Sequence, residues 1–302
     1  MLVSEQPVAA ARRSATGLWS LVSAGVLWGT GGPTGSLLAH ETGLSPLAVA
    51  SYRLAVAGML VISWLCLARK PLPRGREAWT RMAVNALLAA VFQACFFAAV
   101  SLTNVSLATL LTIGASPVLV LSAERVAGRR ASASMLAAVV LAVAGLALLV
   151  GTPAGGITTT GALTGGGLAL LSAAGFAAMT LIGSRPVAGL DDLTATGVSF
   201  AIGGAVLAAA ATLTSGMSFV PTLTSVGLLL LLGAVPTAMA YALYFRGLRT
   251  TPASTAALIA LLEPLVATLL ATLFLGDRLS AAGLVGAGLI TTAMVLNTRG
   301  QR

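Results

Sequence analysis

Charge, histidine and cysteine are scarce in this sequence. Only 8% of its 302 residues are charged, eight are Asp or Glu, one is His and two are Cys. Soluble domains average about 25% charged residues, so this content excludes a water-soluble fold. A single histidine, His40, excludes the HExxH zinc motif. Cys66 and Cys95 both fall in apolar runs without CxxC spacing, so they read as packing residues rather than a disulfide or a redox pair. No GxSxG elbow occurs, and the few carboxylates offer no convincing intramembrane pair. Nucleotide motifs fail as well. In "VLWGTGGPTGSLLA" at 26–39, the sixth position counted from Gly29 is Thr34, and no Lys follows the glycines. The expectation is a protein that is not an enzyme and has no cofactor and no metal.

What is present is apolar surface. Hydrophobic residues make up 57% of the chain, and the mean hydropathy is +0.98. Runs long enough to span a bilayer fall at 16–39, 46–68, 77–99, 104–123, 132–151, 162–183, 193–213, 222–245, 252–275 and 279–297. A charged segment with Arg12 and Arg13 precedes the first run, but "SLLAHETG" is a poor cleavage site, so that run reads as a retained span. The net charge is +9, and its placement orients the chain. With a cytoplasmic N-terminus, every basic residue except Arg278 in an outer loop and Arg53 within a span lies on the cytoplasmic side. Both termini are therefore expected in the cytoplasm, and the partner of the basic tracts is lipid rather than nucleic acid.

The chain also repeats itself. At a shift of 147, Thr103 falls on Thr250 and Pro117 on Pro264; one residue later in register "GRRAS" at 128–132 meets "GDRLS" at 276–280. At 146, "AVAGM" from Ala55 meets "AIGGA" from Ala201. The expected organisation is a cytoplasmic tail at 1–15, a first five-helix repeat at 16–151, a linker at 152–161, and a second repeat with a short tail at 162–302. Five spans is an odd number, so the second copy enters the membrane from the opposite face. The fold class expected is all-α, with ten transmembrane helices as two inverted repeats around a central cavity, an architecture common among secondary transporters.

Ten helices in two repeats, with "LWG" at 27–29, "SPLAVASYR" at 45–53, "LEP" at 262–264 and "FLGDRLS" at 274–280, resemble the EamA-type branch of the drug/metabolite transporter superfamily. Within it, the chain is most similar to the aromatic and neutral amino-acid exporters. It departs in having Asp277 where Glu is usual, and in lacking an acidic residue and a Pro-rich break in the sixth span. The resemblance implies that spans 1, 3, 4, 6, 8 and 9 surround the cavity, with Trp28 and Phe176 on its wall.

Candidate site residues follow from what is expensive in a bilayer. Gln93 carries a mid-span amide that must find partners. Phe92, Phe96 and Phe97 flank it in the third span; Tyr241, Tyr244 and Phe245 lie in the eighth, where Tyr244 is the repeat partner of Phe97. The substrate-binding set expected is Trp28, Phe92, Gln93, Phe96, Phe176, Tyr244 and Glu263. The plainer reading for each aromatic is core or lipid-facing packing. Gly31, Gly32 and Pro33, with the repeat-related Pro117 and Pro264, are the expected hinge or gate elements. Pro236 interrupts a third mid-span helix, and close helix packing is the alternative for the glycines. Arg53 lies within snorkelling reach of the outer headgroups, so a structural role is expected, with direct contact to the substrate as the alternative. Glu263 sits near the midplane as a coupling or ammonium-binding group, or as a structural acid bonding carbonyls freed by Pro264.

One Lys in a loop and one Arg in a span are poor equipment for a phosphorylated cargo. The function expected is gradient- or substrate-driven export of small neutral or zwitterionic metabolites across the inner membrane. Amino acids are the first choice; another metabolite or a drug, or a channel, is the alternative. The expected partners are that small-molecule substrate and the lipid bilayer, with a homodimer compatible.

Overall fold

The computed structural model describes residues 6–151, 158–274 and 279–299, with side chains from residue 15 through 297 within those ranges. Linker residues 152–157, the loop residues Gly276, Asp277 and Arg278, and Arg302 lie outside them. No strand occurs among the described residues. The helices are α1 (Gln6–Gly29), α2 (Gly31–Thr42), α3 (Pro46–Leu67), α4 (Arg76–Leu102), α5 (Val105–Val126), α6 (Ala133–Val150) and α7 (Thr159–Gly183). They continue with α8 (Asp192–Thr214), α9 (Leu223–Gly233), a π-helical segment at Ala234–Met239, α10 (Ala240–Gly247), α11 (Ala253–Ile259), α12 (Leu262–Phe274) and α13 (Ala281–Arg299).

Among the described residues, eight helical stretches are long and apolar enough to cross a membrane, taking Leu223–Gly247 and Ala253–Phe274 each as one. Ala281–Asn297 is a shorter apolar helix. The first expected span is divided at Thr30 into α1 and α2. The α1 helix also reaches back to Gln6, so the expected tail is helical from that residue on.

Polar caps mark where several spans begin. Ser45 accepts from the Ala48 N–H at 3.1 Å with Pro46 just inside the helix. Asn104 accepts from Leu107 at 2.8 Å, Ser132 from Met135 at 3.1 Å and Thr158 from Gly161 at 3.0 Å. Thr222 and Ser225 form a reciprocal capping box. Asp191 caps α8 through the N–H groups of Leu193 and Thr194 and takes the Thr194 hydroxyl at 2.6 Å. Burial works to raise its pKa, but the Thr194 bonds, the Lys70 charge and the Leu193 N–H together hold the carboxyl below its ordinary range.

Lipid supplies no hydrophobic drive between helices, so close approach must come from small residues. The α3/α8 crossing shows this twice. A Cβ on Gly58 would lie 2.6 Å from the Ala201 Cα, and one on Gly204 would lie 2.8 Å from the Ala55 Cα. These are the residues that the 146-residue shift superimposes, so the two halves exchange roles across the crossing. The α6/α13 crossing brings Gly145 and Gly286 into the same mutual contact. Elsewhere α4 packs on α7 and α10 on α1, while α5 packs on α7 and α12 on α1. Replacing each helix by its sequence-repeat partner leaves that pairing unchanged.

At the end of the bundle carrying most basic residues, Arg81 donates to the Ile182 carbonyl and, at 3.0 Å, to that of Arg185. Arg249 pairs with Asp192. These contacts tie α4 to the end of α7 and the start of the 184–191 connection, and the start of α8 to the segment after α10.

Candidate functional site

Three interrupted helices meet in the middle of the bundle, α1/α2, the π segment and α11/α12. At the first, the Thr30 hydroxyl donates to the Leu27 carbonyl at 2.7 Å and the Thr34 hydroxyl to the Thr30 carbonyl at 2.8 Å, in addition to the backbone N–H bonds that the same two carbonyls accept from Thr30 and Thr34. Pro33 lies in the first turn of α2, where a missing N–H costs least. The glycines divide their work. A Cβ on Gly25 would come within 2.8 Å of the Leu262 Cβ, and one on Gly29 within 2.5 Å of the Val266 Cβ, so these two let α1 lie against α12. Gly31 faces Pro236, whose Cβ would be 3.3 Å away, whereas Gly32 faces open space.

Pro236 lies within the π segment, where Thr237 donates to the Leu232 carbonyl at 2.7 Å. Proline cannot supply its own backbone bond, and a widened turn accommodates the gap. At the third break, Leu261 bonds to Leu258 and Glu263 to Ala260, tight turns that end α11 and start α12. Pro264 thus occupies the first turn of α12. Its repeat partner behaves differently: Pro117 is buried inside an uninterrupted α5.

Against these breaks sits an aromatic cluster. The Trp28 ring lies 4.9 Å from Tyr241 and from Tyr244 and 5.9 Å from Phe176, while Phe176 lies 5.6 Å from Phe92. Trp28, Phe176, Tyr241 and Tyr244 are each no more than 8% exposed. The Tyr244 hydroxyl bonds the Thr180 hydroxyl at 2.8 Å, and Thr180 in turn donates to the Phe176 carbonyl at 2.9 Å. The Trp28 Nε1 is buried without a partner.

Charge enters from α3 and α12. Arg53 and Glu263 are half-buried. Arg53 lies near the Tyr241 side chain, keeps an unpartnered buried Nε, and places Nη1 3.9 Å from where a Gly31 Cβ would be. It turns inward rather than snorkelling to the outer headgroups, because Tyr241 and the charge of Glu263 offer partners nearer than the headgroups. The direct ion pairs among the described residues are Arg129–Glu124 and Arg249–Asp192; Arg53 and Glu263 attract one another without direct contact.

Of the expected binding residues, the structure brings Trp28, Phe92, Phe176 and Tyr244 together. It sets Glu263 at the adjacent helix break and buries Gln93 on α4 at 3% exposure. Phe96 stands apart, edge-on to Phe97 and packed with the small cluster of Ala99, Ala108 and Ala169. Residues that sequence reasoning passed over include Thr180, which carries no signal distinguishing it from other span hydroxyls. Arg53 was not passed over: the sequence marks it as a basic residue inside a span, with substrate contact as one of its two readings.

Comparison with known proteins agrees with this architecture. The EamA-like transporter family model matches the chain twice, at residues 15–151 and 163–299. An uncharacterised transporter, YwfM, from Bacillus subtilis is 32% identical over 92% of this chain and 92% of its own length. The protein PecM from Dickeya dadantii is 32% identical over 83% of this chain and 82% of its own. A solved crystal structure superposes with a TM-score of 0.79 at 19% identity, covering 94% of this chain and 97% of that one, a likeness of fold alone. The chain is a multi-pass membrane protein that belongs to the EamA-like transporter family.

Proposed function

We propose that the protein is a secondary transporter that exports small neutral or zwitterionic metabolites, amino acids first, by alternating access across the inner membrane, and that it has no enzymatic activity. The observation that carries this reading is the pairing of one half-buried cation and one half-buried anion, not in direct contact, beside a closed aromatic cluster where three helices are interrupted. A zwitterion carries a partner for each. Its carboxylate would meet Arg53 and the unpartnered Trp28 Nε1. Its ammonium would meet Glu263 and the faces of aromatic rings, which attract cations. Interrupted helices also present unpaired backbone groups, the usual way transporters hold polar cargo at mid-depth.

Two matches of one family model and the exchangeable helix pairing support ten spans in two inverted repeats. The basic-residue asymmetry supports cytoplasmic termini. Opposed copies supply two equivalent gates, with Gly31, Gly32, Pro33, Pro117 and Pro264 as the bending elements.

A panel of labelled amino acids tested for uptake into proteoliposomes, with and without a pH gradient, tests the reading. Saturable uptake of neutral amino acids supports it. Uptake confined to other metabolites or drugs transfers the site to a different cargo, and unsaturable flux points to a channel.

A further inference from the structure

Away from the centre, the ends of α5, α6, α11 and α13 enclose a cavity of about 270 Å³ bordered by Glu124, Arg129, Arg130, Ser132, Ser134 and Asn297. Leu121, Met135 and Pro252 also line it, so the polar groups stand among apolar ones. Asn297 is 3% exposed. Its Oδ1 receives the Thr255 hydroxyl at 3.5 Å, but its Nδ2 is buried with no partner. A buried amide donor left unpaired is costly, so an acceptor is the group missing here.

The surroundings favour an anion. Glu124 is already engaged by Arg129 at 3.1 Å, which leaves Arg130 as a second, exposed guanidinium beside the opening. The 18-residue α6 begins at the same place, its cap hydroxyl on Ser132 bonded to Ser134 at 2.9 Å, so the positive end of the helix adds to the guanidiniums. Donors outnumber acceptors, as suits a ligand with several oxygens and no protons. The cavity lies at the membrane end that carries the basic tracts, and Leu136 and Val140 are exposed on α6 beyond it. A headgroup in the cavity would leave its acyl chains against that apolar surface.

We propose that this cavity binds a phosphate-bearing anion, the headgroup of an anionic phospholipid. The site is separate from the aromatic cluster and independent of the cargo.

Full-length protein in detergent, stripped of lipid, is titrated with phosphatidylglycerol, phosphatidylcholine or inorganic phosphate. Bound lipid is read by native mass spectrometry and stability by unfolding temperature. Phosphatidylglycerol is expected to bind and to raise the unfolding temperature, with phosphatidylcholine and inorganic phosphate doing neither. Arg130→Gln, at an exposed position, is expected to weaken phosphatidylglycerol binding about tenfold, roughly 1.4 kcal/mol. Asn297→Leu, which removes the donor, is expected to do the same, its folding checked by unfolding in lipid-free detergent. Unchanged binding by Arg130→Gln overturns the proposal, as does equal binding of the two lipids. Stabilisation by inorganic phosphate equal to that by phosphatidylglycerol assigns the cavity to a free anion and overturns the lipid reading.

Discussion

The bond between Tyr244 and Thr180 allows a prediction with a sign built into it. The Thr180 hydroxyl donates to the Phe176 carbonyl, so its proton is committed and the Tyr244 hydroxyl must be the donor in the 2.8 Å contact between them. Tyr244→Phe removes that donor but leaves Thr180 bonded to its carbonyl. The ring contacts to Trp28 at 4.9 Å and Phe176 at 5.7 Å stay in place. One neutral hydrogen bond is lost and no new orphan is created, which costs about 0.5–1.5 kcal/mol in general and averages about 0.6 between membrane helices. Thr180→Ala is the harsher change. It strands the Tyr244 O–H at a site 2% exposed, and an unpaired buried donor costs about 1–3 kcal/mol. Tyr244→Ala is harsher still, at about 3–5 kcal/mol, because it empties a ring-sized volume. Unfolding of the purified protein in detergent orders the three variants, and proteoliposome uptake reports the site. The Tyr244→Phe protein is expected to retain uptake within about tenfold, a difference below about 1.4 kcal/mol, since the hydroxyl is occupied by Thr180 and only the ring faces the cluster. A Thr180→Ala protein more stable than Tyr244→Phe would reverse the donor assignment. Abolished uptake in a folded Tyr244→Phe protein would show that the hydroxyl meets the cargo.

Further predictions concern the groups around it. Glu263→Gln keeps shape and hydrogen bonding but cannot ionise; a folded variant is expected to lose pH-dependent uptake, and a normal pH profile would rule out coupling through this residue. Gly32→Leu enters open space and is expected to leave a folded protein with slowed uptake, while Gly31→Leu collides with Pro236 and is expected to lower stability as well; wild-type rates in both would dismiss the hinge. Gln93→Ala is expected to reduce uptake more than it reduces unfolding temperature, and normal uptake by the purified variant would return Gln93 to packing. For Asp191, a carboxyl held below its ordinary pKa contributes stability that is present above the unfolded value and fades as pH falls through the folded one. Acid titration of the wild type should therefore show a loss that Asp191→Ala lacks, and the variant should be about 0.5–2 kcal/mol less stable at neutral pH.

Much of the fold was legible because the bilayer imposes few options. Apolar runs of spanning length located most of the helices to within a few residues, the first span excepted, where α1 starts at Gln6 and a break falls at Thr30. The weak match between "AVAGM" and "AIGGA" marked Gly58, Ala55, Gly204 and Ala201, which the structure places at one crossing. The inward turn of Arg53 was not legible, since its depth alone permits snorkelling and only the position of Tyr241 on another helix decides otherwise. Nor was the contrast between Pro117 and Pro264. Both lack the same N–H, yet one is absorbed within a helix and the other starts a new one. That outcome depends on what packs around each, and sequence spacing does not carry it.

That contrast bears on how two similar halves can make one transporter. If both repeats were bent alike, the bundle would be symmetric and neither side would be preferred. Here the first half carries its break at Thr30 and an intact α5, while the second half carries a π segment and the α11/α12 break over an intact α7. The intact α5 and α7 pack on one another, whereas the broken α1 packs on the broken α12. Bends are thereby concentrated on one flank of the centre and stiffness on the other. On the proposed alternating-access reading, the second arrangement is the one in which the roles of the halves are exchanged. The small-residue crossings at α3/α8 and α6/α13 are formed symmetrically by both halves, so they are the contacts that can persist through the exchange. On that reading motion is expected in α1, α2, α11, α12 and the π segment, with the contacts of Gly31, Pro236 and Glu263 proposed to carry the gating free energy rather than the outer frame.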